Sequence, residues 1–93
     1  MTGKDRKSFT DCADYANASG LRLCMIYDPG FKHWFIEFRA PEDEGEVMAQ
    51  AIGDLGPACA TAVETAKRVL ALMGLEKYEY VENHKTPPLI VAP

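Results

Sequence analysis

Leu21-Arg22-Leu23-Cys24-Met25-Ile26-Tyr27-Asp28-Pro29-Gly30-Phe31-Lys32-His33-Trp34-Phe35-Ile36-Glu37-Phe38-Arg39 reads as two strands around a tight turn. In Asp28-Pro29-Gly30, proline fixes its own φ and Gly30 can take the positive φ that most residues resist. Leu21, Leu23, Met25 and Tyr27 alternate along the first run, and Trp34, Ile36 and Phe38 along the second. Directly opposed residues share one face of a strand pair. The two apolar sets therefore meet only when paired residue numbers add to an odd value, such as 59 or 61. That register gathers the large apolar side chains on one face and leaves Arg22, His33, Glu37 and Arg39 on the other. A slip of one residue would scatter both sets, so the pattern selects it.

Upstream of the hairpin, Ser8-Phe9-Thr10-Asp11 has the form of a capping box, with Asp11 where Glu or Gln is the stronger partner. Phe9, Cys12, Ala13 and Ala16 follow at helical spacing, and Gly20 is placed to stop the helix, which is predicted over about 9–18. Downstream, Val47, Met48, Ala51, Ile52 and Leu55 also fit a helical repeat, so a short helix is predicted over about 46–52. Pro57 suits the first turn of the next helix, where a missing N–H is harmless. Cys59, Ala62, Val63, Ala66, Val69, Leu70 and Met73 carry that main helix to Gly74, and its small side chains allow close packing on a sheet. Tyr78, Tyr80 and their neighbours read as a third strand. Pro87 and Pro88 bar a central strand before residue 89, so Leu89-Ile90-Val91 forms a short edge strand or covers the core. The predicted order is α-β-β-α-α-β, with a further strand at the end: an α+β fold, helices on a small antiparallel sheet of three or four strands.

The 93 residues suit one domain over 1–93, with 1–7 and 84–93 expected as loosely packed ends. Polar residues from Met1 to Lys7 lead into no apolar stretch of signal-peptide length, and no apolar run is long enough to span a membrane. A cytoplasmic protein is the expectation. Cys12, Cys24 and Cys59 are odd in number and contain no Cys-x-x-Cys pair, which agrees with reduced thiols in apolar surroundings.

The formal net charge of −4 conceals a division. From Ala40 to Ala66 there is no Lys or Arg, whereas Glu42, Asp43, Glu44, Glu46, Asp54 and Glu64 are all acidic. The rest of the chain carries eight acids against ten bases. An acidic segment of this kind steers a basic partner surface towards it. A solvated loop that keeps the protein soluble explains any single carboxylate there. Lys4, Arg6 and Lys7 are too few to act as a phosphate-binding stripe, so direct nucleic-acid binding is not expected.

Chemistry-bearing patterns are sparse. His33 and His84 lie far apart and the cysteines are scattered, so no metal and no cofactor is expected. No phosphate-binding glycine motif and no calcium-loop spacing occurs. Cys24 and His33 would share a sheet face without standing opposite each other, a poor arrangement for a nucleophile and its base.

What remains is surface. Ile26 and Phe35 fall on the second face of the hairpin among Arg22, Glu37 and Arg39, where either the first helix or the Leu89–Val91 tail could cover them. Uncovered, they form an apolar patch bordered by charge, as interaction sites do. The expected function is therefore a small acidic, non-enzymatic protein that binds, and can inhibit, a larger protein or nucleoprotein with a basic surface. Its partner-binding residues are Glu42, Asp43, Glu44, Glu46, Asp54, Phe35, Arg22 and Arg39. In size, charge and fold class the chain is similar to the small inhibitors that phages and mobile elements use against bacterial defence, anti-CRISPR proteins among them. This is an analogy of class and no motif carries it. The alternatives are a homo-oligomeric structural or regulatory domain, a homodimer through the same patch, and then a small Cys/His-dependent enzyme.

Overall fold

The computed structural model describes residues 3–41, 45–78 and 89–91. Helix α1 (Gly3–Ser19) leads into strands β1 (Arg22–Asp28) and β2 (His33–Arg39), followed by β3 (Val47–Gly53), helix α2 (Leu55–Leu72) and β4 (Leu89–Val91). The strands form one mixed sheet in the order β3-β2-β1-β4. The β1–β2 and β2–β3 pairs are antiparallel, and β4 runs parallel to β1.

The central hairpin adopts the odd register that its alternation demands. Leu23 stands opposite Phe38, Met25 opposite Ile36 and Tyr27 opposite Trp34. Leu23, Met25, Ile36 and Phe38 are fully buried, and the Tyr27 and Trp34 rings meet edge-on with centroids 5.3 Å apart. Asp28 shapes the turn by accepting hydrogen bonds at Oδ1 from the Gly30 N–H, at 2.8 Å, and the Phe31 N–H, at 3.4 Å. The left-handed residue is Lys32, with φ 57°, and not Gly30. The Asp28 side chain organises the front of the loop, so the backbone reversal falls on its last residue.

Both helices pack on the same face of this sheet. Cys12 and Ala16 of α1 join Leu23, Met25, Ile36 and Phe38 in one core with Ala58, Cys59, Ala62, Ala66 and Leu70 of α2. The Tyr15 ring meets Phe38 edge-on at 5.3 Å. Small residues on α2 bring it close to the sheet, as their spacing implies. Pro57 lies in the first turn of α2, where the Ala58 N–H already donates to the Asp54 carbonyl at 2.9 Å. At the other end the Leu75 N–H donates to the Leu70 carbonyl at 2.8 Å and the Gly74 N–H to Ala71 at 3.0 Å. With φ 75° at Gly74, this is the Schellman termination expected there.

Four further expectations are corrected. The first helix begins at Gly3, so Ser8 lies inside it: Lys4, Asp5, Arg6 and Lys7 contain no helix breaker, and the weak box at Ser8 cannot start the helix anew. Residues 47–53 are a strand, not a helix, so the order is α-β-β-β-α-β. In that strand Ala49 and Ala51 face the helices while Gln50 and Ile52 are exposed. Pairing with β2 satisfies backbone groups that a helix of seven residues would leave largely at its ends. The sheet is consequently mixed rather than antiparallel, because β4 returns beside β1 after the α2 crossover. Finally, Tyr78 is not in a strand; the rest of the strand predicted around Tyr80 lies outside the described residues.

Tyr78 instead ties the end of α1 to the chain beyond α2, its N–H donating to the Ser19 carbonyl at 2.6 Å. Gly20, with φ 75°, makes this approach feasible, because a Cβ there would run into the Tyr78 carbonyl oxygen. Replacing Gly20 by Ala combines a disfavoured φ with that clash and is expected to lower stability by about 2 kcal/mol. Urea denaturation reads this as a lower midpoint at constant slope; an unchanged midpoint contradicts the contact.

Candidate functional site

With both helices on one side, the opposite face of the sheet carries no described helix. Its centre is a row of register partners across all four strands: Val91 beside Ile26, Ile26 opposite Phe35, and Phe35 opposite Ile52. Ile26 is 36% exposed, Ile52 55% and Val91 49%, with Phe35 half-buried between them. Fully covering a side chain of this size is worth about 1.5–3 kcal/mol, so the unspent part of four in a row is a considerable docking force. Neither α1 nor the Leu89–Val91 segment lies over Ile26 and Phe35: α1 packs on the far face and β4 extends the sheet sideways.

The row is continued towards the hairpin turn by aromatic contacts. The exposed Phe31 ring stacks on His33 with centroids 5.7 Å apart and planes 4° from parallel. His33 in turn meets Phe35 edge-on at 6.2 Å.

Charge occupies the other end of the face. Arg22 stands opposite Arg39, and Cys24 opposite Glu37. Glu37 is nearly buried, and its carboxylate accepts from Arg39 Nη2 at 3.3 Å and 3.4 Å. Like charges directly opposed repel, and Glu37 offsets the charge of Arg39 in that pair. Arg22 Nε is buried with no hydrogen-bond partner among the described residues.

Of the residues singled out in the sequence, Phe35, Arg22 and Arg39 are thus brought onto one face. Glu46 and Asp54 are exposed at opposite ends of β3, about 25 Å apart at the rise of an extended strand. The Ala40 N–H donates to the Glu46 carbonyl at 3.0 Å, closing the base of the acidic connection. Asp54 is the N-cap of α2 but makes no capping hydrogen bond with its side chain. Glu42, Asp43 and Glu44 lie outside the described residues. The structure does not bring Cys24 and His33 together. They sit on the same face at opposite ends of the hairpin, about 13 Å apart by strand rise.

The open face includes residues that the sequence pattern alone does not reveal. Ile52 is hidden when 46–52 is read as a helix, although Ala49 and Ala51 alternate with Gln50 and Ile52. Val91 carries no periodicity, being in a strand of three residues. Glu37 shows its pairing with Arg39 only once the register sets both on one face, with Arg22 opposite Arg39.

A groove of about 370 Å³ runs between α1 and α2, lined by Ser8, Cys12, Tyr15, Cys59, Val63 and Lys67 among others. Cys12 Sγ–H donates to the Cys59 carbonyl at 3.6 Å. The contact between the two thiols holds the proton on Cys12, pushing its pKa up, and lowers that of Cys59. Among the described residues no group of three or more His, Cys, Asp or Glu could hold a metal ion, and no helix is long and apolar enough to cross a membrane. No family model matches the chain, and neither curated proteins nor solved structures yielded a significant match.

Burial pushes the Cys24 thiol up from its ordinary 9.0, with Arg22 and Arg39 opposing the rise and Glu37 adding to it. A raised pKa in the folded state means that this contribution to stability is whole below the ordinary thiol pKa and fades as pH rises beyond it. As pH rises past about 8.5, the ordinary thiol value, the native chain is expected to lose stability more steeply than Cys24→Ala, by at most about 1.4 kcal/mol per pH unit. Denaturation series of both proteins in reducing buffer read the difference; equal slopes contradict it.

Proposed function

We propose that this chain is a small non-catalytic binding protein that docks a larger protein or nucleoprotein by the face of its sheet turned away from α1 and α2. The supporting observation is the apolar row Val91, Ile26, Phe35 and Ile52, which spans the sheet and has no described element over it. The row has the composition of an anchoring patch, with aromatic and aliphatic side chains at its centre and Arg22 and Arg39 at its border.

The partner in this reading presents a basic surface around an apolar ridge. Ala40–Ala66 holds six acids and no base, and Glu46 and Asp54 flank the strand that carries Ile52. Acids so placed accelerate encounter, while the apolar row resists dissociation. Inhibition is the consequence proposed for such docking: a protein without machinery of its own acts by occupying a surface that its partner needs. Inhibitors that phages and mobile elements direct against nucleoprotein complexes work in this manner as a class, and the proposal places the chain beside them by chemistry alone.

A second reading keeps the face and changes its occupant. A homodimer would also cover the apolar row, since sheet faces stack well when both are apolar. Molar mass in solution separates the readings, with a monomer expected.

Capture from a lysate of the cells that make the protein, run with the native chain and with Phe35→Asp, tests the proposal. Loss of the captured protein in the variant, whose fold is checked by its melting curve, is expected. Replacing Glu42, Asp43, Glu44 and Glu46 by their amides should slow association about tenfold at low salt and flatten its salt dependence. Capture that survives Phe35→Asp, or an unchanged salt slope in the amide variant, overturns the reading.

A further inference from the structure

We infer that the partner contributes an extended strand to the outer edge of β3, with an apolar side chain beside Ile52 and a basic residue at each end. This deepens the proposed docking face and rests on it.

The two edges of the sheet differ. On one side β4 has three residues and follows Pro87-Pro88, a short edge of the kind that discourages pairing. On the other, β3 runs for seven residues, Val47-Met48-Ala49-Gln50-Ala51-Ile52-Gly53, without a charge or a proline. Among the described residues no strand lies beyond it. A single register shift, between Phe38 and Arg39, disturbs only its first residues. Such an edge offers a row of backbone donors and acceptors, and strand addition is the recognition mode that uses them.

Charge decides what kind of strand fits. A second copy pairing antiparallel along all seven residues would centre on Gln50, setting Glu46 of each copy against Asp54 of the other. Both are exposed acids, and like charges directly opposite are destabilising. A foreign strand with Lys or Arg near both ends converts the same two positions into attraction. Its side chains next to Gln50 and Ile52 fall on the open face, where an apolar one extends the row from Val91 to Ile52 by one place. The residues next to Ala49 and Ala51 fall on the helix side.

The probe is an alternating Thr/Val nonapeptide with Lys at both ends, and its twin with Glu at both ends, each titrated into the isotopically labelled protein. The Lys-ended peptide should shift the amide resonances of residues 47–53 and slow their exchange with solvent. It should bind about tenfold tighter than its twin at low salt, with the advantage shrinking at high salt. Gln50→Lys places a charge in the middle of the edge opposite Glu37, where the fold accepts it, and should abolish binding of the Lys-ended peptide without lowering the melting temperature. Shifts confined to Ile26 and Phe35 with no protection in β3 would overturn the strand addition and leave the docking face standing. Equal binding of the twins, no binding of either at millimolar peptide, or a native dimer protected along β3 would also overturn it. Survival of partner capture in Phe35→Asp, by contrast, strikes at the docking face itself.

Discussion

Every other feature depends on the pairing of β1 with β2 in the register that sets Met25 opposite Ile36. Side chains alternate across a strand, so this choice assigns each residue of the hairpin to one of two environments. Leu23, Met25, Ile36 and Phe38 become the floor on which both helices rest. Arg22, Cys24, Ile26, Phe35, Glu37 and Arg39 become the opposite face. A one-residue slip would put Glu37 and Arg39 under α2 and leave the core without its largest side chains. The cost of burying such charges without partners excludes that arrangement.

The second face follows from the economy of a short chain. Helices α1 and α2 pack against each other and against one side of the sheet, with Ala62 and Ala66 allowing α2 close to the strands. Nothing comparable is described over the other side. What stabilises that side is local: cross-strand contacts among Ile26, Phe35 and Ile52, aromatic stacking at His33, and the ion pair of Glu37 with Arg39. The arginine pair would be self-repelling without Glu37, which couples the stability of this end of the face to its charge pattern.

The hairpin was legible because seven-residue alternation on both sides of Asp28-Pro29-Gly30 leaves one register that buries the apolar set. Gly20, Pro57 and Gly74 were legible because each does something at a helix end that few other residues can do. Residues 47–53 were not, since Val47, Met48, Ala51 and Ile52 satisfy a helical repeat as well as an extended one over so short a span. The unpaired edge of β2 decided the matter, and an edge is a property of the sheet, invisible in the segment itself. The positive φ at Lys32 escaped for a similar reason: the Asp28 side chain moved the reversal from Gly30 to the end of the loop. Among site residues, Phe35, Arg22 and Arg39 could be read from the hairpin, whereas Ile52 and Val91 required knowledge of which strands stand beside it.

The central claim, that an apolar row lies open to solvent on the side away from the helices, is tested most directly by methyl NMR with a soluble gadolinium chelate. The account predicts strong paramagnetic broadening of the Ile26, Ile52 and Val91 methyls in the free protein, while those of Ile36 and Leu23 stay sharp. Equal protection of both sets would mean that the face is already covered, and would contradict the account.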